Sequence, residues 1–334
     1  MIEGHGDDIY RYGGKVKHNF SSNICQGSGH KALAENLADN LGCIFNYPEP
    51  APISIEELIA QRNGVPANCV MATNGAADAI YIMAHAWQRR ISAIMQPTFS
   101  EYADACEING HVVKQFSRLV DLPANCDVVW ICNPNNPTGN TLDAAALLGV
   151  VRSNPDKIFV IDQSYHKYTA KPVLPPRVVN RHPNLILLYS LTKDYCIPGL
   201  RLGYMVANPT LIGELKRFRT PWSVNALAIA AAKFLLVEDS GIDRDALLQQ
   251  ARYLADELTA MGIVVTPSDT NFILCRLPKG TAAELKQWLV EHYGILIRDA
   301  SNFVGLTPQH FRIAAQTPEE NQLLIKAIEI WMES

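Results

Sequence analysis

The sequence predicts an α/β protein: a large domain built on a mostly parallel, doubly wound sheet, joined to a smaller α+β domain. Three observations carry that expectation. Short apolar runs, closed by Gly, Pro or Asn, alternate with helical patterns through the first part of the chain. The polar residues suited to chemistry fall just after those runs, where ligands sit in open α/β sheets. From about Trp222 the order changes to long helical patterns followed by short strands. With 334 residues, 48% of them hydrophobic, the chain can bury two cores. The expected division is an N-terminal arm over 1–25 that also contributes to the smaller domain, a large domain over 26–222, and the small domain over 223–334.

Taken in order, the first residues are irregular and Gly-rich, and 20–24 reads as extended. A helix is expected over 31–41. Cys43 to Pro52 is Pro-rich and cannot be helical. Another helix spans 53–61, with Ser54 as its cap. Val70-Met71-Ala72-Thr73 is a strand; Asn74 then caps a helix reaching about Arg89, whose first free N–H groups, after Gly75, belong to Ala76 and Ala77. A small-residue helix start of this kind suits an anion, although an ordinary capped helix has the same pattern. Strands follow over 91–95, 111–116 and 127–132. The last stops at Asn133-Pro134-Asn135-Asn136-Pro137-Thr138-Gly139, a rigid turn with exposed amides. A helix over 142–153 leads to a strand over 157–161 that ends on Asp162. Strands over 185–189 and 203–207 flank Ser190-Leu191-Thr192-Lys193. Beyond Trp222, helices are expected over 225–238, 243–261, 282–292 and 318–332, and strands over 263–265, 271–275, 295–298 and 310–314.

Composition excludes several functions. The net charge is −4 with no block of like charge, which argues against a nucleic-acid or membrane-surface partner. The apolar runs are too short to span a bilayer. The acidic N-terminus is unlike a signal peptide. Eight cysteines without a CxxC pair point away from zinc or disulfides and toward a reducing, cytoplasmic compartment. No metal is expected.

The stretch from Ser190 to Arg201 carries the chemistry. A lysine held at a strand end can form an imine with an aldehyde cofactor. Ser190, Thr192 and Arg201 are residue types that hold a phosphate. Together they match what pyridoxal phosphate requires. Asp162 could keep the pyridine nitrogen protonated, or it could cap or pair elsewhere. Asn136 and Tyr165 could donate to the ring hydroxyl, and Phe99 could cover a ring face, although Tyr165 and Phe99 equally suit a core. Arg312 could bind a substrate carboxylate and Arg298 a second anion. Either could instead be half of a structural ion pair, since a buried guanidinium needs a partner.

These residues resemble a known family, the fold type I pyridoxal phosphate enzymes of the aspartate aminotransferase superfamily. Asn133–Gly139 is similar to its NPNNPTG, Ser190–Lys193 to its S-x-[ST]-K, and 199–204 to GLRLGY; the likeness spans nearly the whole chain. Histidinol-phosphate aminotransferases share these motifs. The segments 190–204, 221–228 (PWSVNALA) and 296–306 are more like the threonine-phosphate decarboxylases of the cobalamin pathway. The resemblance implies that Lys193 carries the cofactor, Asp162 pairs with its ring nitrogen, and Asn136 and Tyr165 hold its 3′-oxygen. It further implies that Ser190, Thr192, Arg201 and the amides after Gly75 hold the phosphate, and that Phe99 stacks on the ring. Tyr47 would reach the phosphate of a second subunit in a homodimer with a shared active site. Arg312 would bind the substrate carboxylate, and Arg298, Asn23 and His5 would lie near a substrate phosphate. The implied reaction is decarboxylation of L-threonine O-3-phosphate to (R)-1-amino-2-propanol O-2-phosphate; the alternative is an aminotransferase acting on histidinol phosphate or another amino acid. Where those decarboxylases read His-Gly-Gly-Asn, this chain has His5-Gly6-Asp7-Asp8. An acidic pair there would repel a phosphate.

Overall fold

Strand formation follows the apolar runs closely. The computed structural model describes residues 6–24, 30–237 and 241–333. Its strands are β1 (His18–Asn19), β2 (Val70–Thr73), β3 (Ile91–Met95), β4 (Val112–Phe116), β5 (Val128–Cys132), β6 (Ile158–Asp162), β7 (Leu185–Ser190), β8 (Gly203–Ala207), β9 (Val264–Val265), β10 (Phe272–Arg276), β11 (Ile295–Leu296), β12 (Arg298–Asp299) and β13 (His310–Ala314).

Seven of them form one sheet in the order β2-β8-β7-β6-β5-β3-β4. Strands β3 to β7 pair in parallel, while β8 runs antiparallel to both of its neighbours. Every residue of β5, β7 and β8 is buried. That explains their continuous apolar sequences: helices cover both faces, so neither face can be polar. Alternation then sorts the side chains. Val129 and Ile131 join one core with Leu187 and Val206, whereas Val128 and Trp130 join a second with Ile186 and Met205.

The C-terminal part is built on a four-stranded antiparallel sheet, β12-β13-β10-β9. Its core collects Ile273, Phe311 and Ile313 from strands and Leu254, Leu285, Leu289 and Leu324 from helices. Phe20 is buried in this same core, and β1 pairs in parallel with β11. Phe20 N–H donates to the Leu296 carbonyl at 2.8 Å, and the Phe20 carbonyl accepts from Ala314 N–H at 2.9 Å. The extended N-terminal segment is thus tied to the C-terminal sheet.

Several expectations are corrected. Ser54 does not cap the helix Ile53–Asn63; the carboxylate of Glu49 does that work, accepting from Ser54 N–H at 3.0 Å and from its hydroxyl at 2.5 Å. Asn74 makes no side-chain cap; its N–H donates to Asp78 Oδ2 at 2.9 Å. The single strand expected over 295–298 is broken into β11 and β12. Helices Glu101–Ile108 and Pro209–Lys216 were not expected. The second starts at Asn208, whose side chain accepts from Thr210 and Leu211 N–H, with Pro209 in the first turn. Among the described residues no helix is long and apolar enough to cross a membrane, and no group of His, Cys, Asp or Glu is arranged to hold a metal.

Candidate active site

The carboxyl ends of β5, β6 and β7 open onto a cavity of about 260 Å³. The seven-stranded sheet lines it with Phe99, Asn136, Asp162, Tyr165, Ser190, Thr192 and Lys193, and the helix Gly75–Ala86 adds Ala76 and Ala77. Arg201 closes that side. Asn23, Arg298 and Arg312 close the other. The segments from the seven-stranded sheet meet here because each follows a strand end on the same rim, whereas Arg298 and Arg312 come from the four-stranded sheet.

Lys193 sits in the short helical turn after β7. Burial, with the neighbouring charges of Arg312 and Arg201, pulls its amine down from 10.5 to about 8, against the pull of Asp7. Its Nζ lies 5.9 Å from the Tyr165 ring centre, and its backbone carbonyl accepts from Tyr168 Oη–H at 2.8 Å. Asp162 ends β6, fully enclosed. Burial raises its carboxyl, but two donors oppose the shift: Ser164 N–H at 2.8 Å on Oδ1 and Tyr102 Oη–H at 2.7 Å on Oδ2. Burial pushes the Tyr165 phenol up to about 12, even with Arg312 nearby, and its oxygen accepts from Asn23 Nδ2 at 3.2 Å.

On the opposite wall, Arg298 and Arg312 are directly paired residues of β12 and β13, so their side chains share one face. They are 7% and 5% exposed. Arg312 donates to the Asn136 side-chain oxygen and to the Ser21 carbonyl, the latter at 2.6 Å. Its Nε has no partner, and burial lowers its pKa from 12.5 to about 9. Arg298 donates to the Asp299 carbonyl at 2.7 Å and to Asn302 Oδ1 at 2.8 Å. Among the described residues neither guanidinium pairs with a carboxylate, so the ion pairs that the sequence left open are absent there.

The cradle at the other end is close-fitting. A Cβ at Gly75 would lie 2.6 Å from Arg201 Nη2, and one at Gly203 would lie 2.5 Å from Ala76 N. Only glycines let the arginine and the helix start approach the sheet this closely. Ser190 and Thr192 hydroxyls meet at 2.7 Å. Two hydroxyls, a guanidinium and two helix-start amides beside a lysine of lowered pKa and a buried carboxylate fit a phosphate-bearing pyridine aldehyde.

Not every expected residue is brought in. Tyr47 is 86% exposed, away from the cavity, and packs on Trp222 at 5.5 Å. His5 lies outside the described residues. Conversely, Ser21, Ser22, Tyr102, Cys132, Asn302 and Phe303 line the cavity without having been singled out, and Asp7 of the acidic pair lines it too. Tyr102 follows Phe99 by less than one helical turn; an amphipathic reading of Glu101–Ile108 would have found it.

Fold and site together define a fold type I pyridoxal phosphate enzyme. The chain belongs to the aminotransferase class I and II family, whose model matches residues 15–328. It is similar in structure to the L-threonine-O-3-phosphate decarboxylase of Porphyromonas gingivalis, with a TM-score of 0.92 and 40% identity over 95% of this chain and 100% of that one. In sequence it is 29% identical to the threonine-phosphate decarboxylase of Salmonella typhimurium over 92% of this chain and 89% of the relative. It is 31% identical to histidinol-phosphate aminotransferase 1 of Mannheimia succiniciproducens over 90% and 85%.

Proposed function

We propose that this chain is a pyridoxal phosphate-dependent decarboxylase acting on L-threonine O-3-phosphate, serving cobalamin biosynthesis in the cytoplasm. One observation carries the choice of substrate: Arg298 and Arg312 lie buried side by side without a carboxylate partner among the described residues. Leaving a buried ion uncompensated costs several kcal/mol. Such a pair calls for a ligand with two anionic groups, and a phosphorylated α-amino acid has them.

In this reading Lys193 holds the cofactor covalently, Asp162 keeps a proton on its ring nitrogen, and Asn136 and Tyr165 hold its ring oxygen. Ser190, Thr192, Arg201 and the amides of Ala76 and Ala77 hold its phosphate, and Phe99 packs on the ring. Pyridoxal phosphate, when bound, supplies an electron sink conjugated to the substrate Cα. Tyr102 and Ser164 counter the burial of Asp162, so its carboxylate stays available to that ring proton. Arg312 binds the substrate carboxylate; Arg298, beside Asn23, binds the phosphate. Where these two groups hold the anions decides which bond at Cα is broken. Lys193, its pKa lowered to about 8, moves the proton at Cα.

Tyr47 is proposed to reach the cofactor phosphate of a second copy. Phe45, Leu41 and Trp222 are exposed near it in sequence or in space, at 84%, 52% and 49%, which suits a homodimer face.

An aminotransferase acting on histidinol phosphate uses the same cofactor elements. Histidinol phosphate has a phosphate but no carboxylate, so as amino donor it would satisfy one guanidinium only. The test is to incubate the protein with L-threonine O-3-phosphate and no keto acid. Catalytic release of CO2 is expected. Turnover only after 2-oxoglutarate is added would assign an aminotransferase instead.

A further inference from the structure

The tandem acids Asp7 and Asp8 have opposite fates. Asp8 is buried against Lys286, whose Nζ lies 2.8 Å from both carboxylate oxygens, and its charge still acts on Arg298. Asp7 lines the cavity itself. Its φ is 63°, in the left-handed region that few residues other than Gly, Asn and Asp adopt. Its N–H donates to Ser21 Oγ at 3.0 Å, and its Oδ1 accepts from Asn19 Nδ2 at 2.5 Å. Its second oxygen has no described partner. Asp7 stands beside the proposed phosphate site: the preceding Gly6 packs so tightly that a Cβ there would lie 3.0 Å from Arg298 Cδ.

Charge balance then limits what can bind. Lys193, in the turn after β7, feels the charge of Asp7 directly, while Arg298 from β12 and Arg312 from β13 line the same cavity. Arg312 is taken by the substrate carboxylate and Lys193 by the cofactor. Arg298 alone remains for the distal group; Asp299 and Asp8 already act on it, and Asp7 lines the same cavity. A dianion there would leave a net buried negative charge. A monoanionic phosphoryl group would match Arg298 and offer its P–OH to the free oxygen of Asp7.

Resting on the substrate reading above, we propose that Asp7 is a specificity-determining residue that makes this site take the phosphate ester as its monoanion and turn away the dianion. A phosphate monoester loses its second proton near pH 6, so the effect is read as a pH dependence. His5, two residues earlier, lies outside the described residues; any titration of its own is common to the wild type and an Asp7 variant and cancels in their ratio.

The test compares wild-type holoenzyme with Asp7→Asn, which keeps an oxygen for Asn19 and tolerates the positive φ. Cofactor absorbance confirms equal loading. For CO2 release from L-threonine O-3-phosphate, the variant-to-wild-type ratio of kcat/KM is expected to rise about tenfold or more between pH 5.5 and 8 as the dianion takes over. For L-threonine O-sulfate, a permanent monoanion, the ratio stays flat. A flat ratio for the phosphate ester, or an equal rise for the sulfate, overturns the role of Asp7 while CO2 release still upholds the substrate reading. If neither protein releases CO2, the same ratios are taken from spectral titration of ester binding. A rise confined to the phosphate then supports Asp7 and rejects the decarboxylase. No binding of either ester rejects both.

Discussion

The molecule buries charge in two contrasting ways. Glu56, 3% exposed on the helix Ile53–Asn63, is fully matched: it accepts from Ala72 N–H at 3.1 Å, Arg219 Nη1 at 2.5 Å and Lys216 Nζ at 2.7 Å. Arg298 and Arg312 are buried to a similar degree, 7% and 5% exposed, yet no described carboxylate forms an ion pair with either. The first cluster joins a helix to β2 and to residues 216–219, and holds the fold. The second group carries unfavourable electrostatics, which the proposed anionic substrate would relieve. Matching of charge, rather than burial, separates the two roles.

Four substitutions probe that contrast. The largest effect is expected at Lys193. Lys193→Met should lower turnover by ~10³-fold or more, since the proposed covalent anchor and proton carrier are both lost. It should also stabilise the apoprotein at neutral pH. The folded-state pKa of about 8 lies below the unfolded 10.5. Between those values the unfolded chain binds the extra proton, so wild-type stability rises with pH through that window and carries a penalty of ~3 kcal/mol below it. Urea unfolding at pH 7 and 9.5 checks this: the advantage of Lys193→Met should shrink as pH rises. An advantage independent of pH would mean that the amine is not buried as a strained cation.

Next come the paired tests of the two clusters. Glu56→Ala should cost about 3 kcal/mol of stability, because Lys216 and Arg219 lose their anion, while kcat/KM of the folded protein barely changes. Arg312→Met should do the reverse. Loss of an uncompensated cation offsets the acceptors left open on Asn136 and Ser21, so stability should move by no more than ~1 kcal/mol, while kcat/KM drops ~10²-fold or more. Thermal melts beside steady-state kinetics read both; a large melt shift in Arg312→Met would make it a structural residue. The smallest effect is at Tyr102→Phe. Removing one donor to the Asp162 carboxylate is worth ~1.5–3 kcal/mol, or about 10- to 100-fold in rate, with the carboxyl pKa moving further up.

The contrast also explains what could be read from the sequence. The strands were legible because their burial on both faces forces unbroken apolar runs. The convergence of Ser190, Thr192, Lys193 and Arg201 on one cavity was legible because they are close in the chain. Cross-chain choices were not. Ser54 was read as a cap from its type, but Glu49 reaches the same amide from the preceding loop. Tyr102 finds Asp162 across 60 positions. Whether Asp7 or Asp8 faces the cavity is set by Lys286, 278 positions from Asp8. Neighbours in sequence with the same side chain cannot announce which of them will meet a distant cation. The unpartnered state of Arg298 and Arg312 was likewise left open, since a sequence shows that a guanidinium needs a partner but not whether the fold supplies one.

One seam outlasts these individual residues. Gly139 closes the loop that carries Asn136, at φ 70°, and its missing side chain is filled by Ser268, Thr270 and the Phe272 carbonyl, the last 2.9 Å from where a Cβ would be. Asp269 N–H and the Gly139 carbonyl lock the same junction at 2.9 Å. Phe272 opens β10, the neighbour of the strand bearing Arg312. The halves of the pocket therefore abut with about a hydrogen atom to spare. A lineage drifting at this position has almost no room to explore: even alanine would wedge the two halves apart, so both sheets could persist in good order while the chemistry between them fell silent.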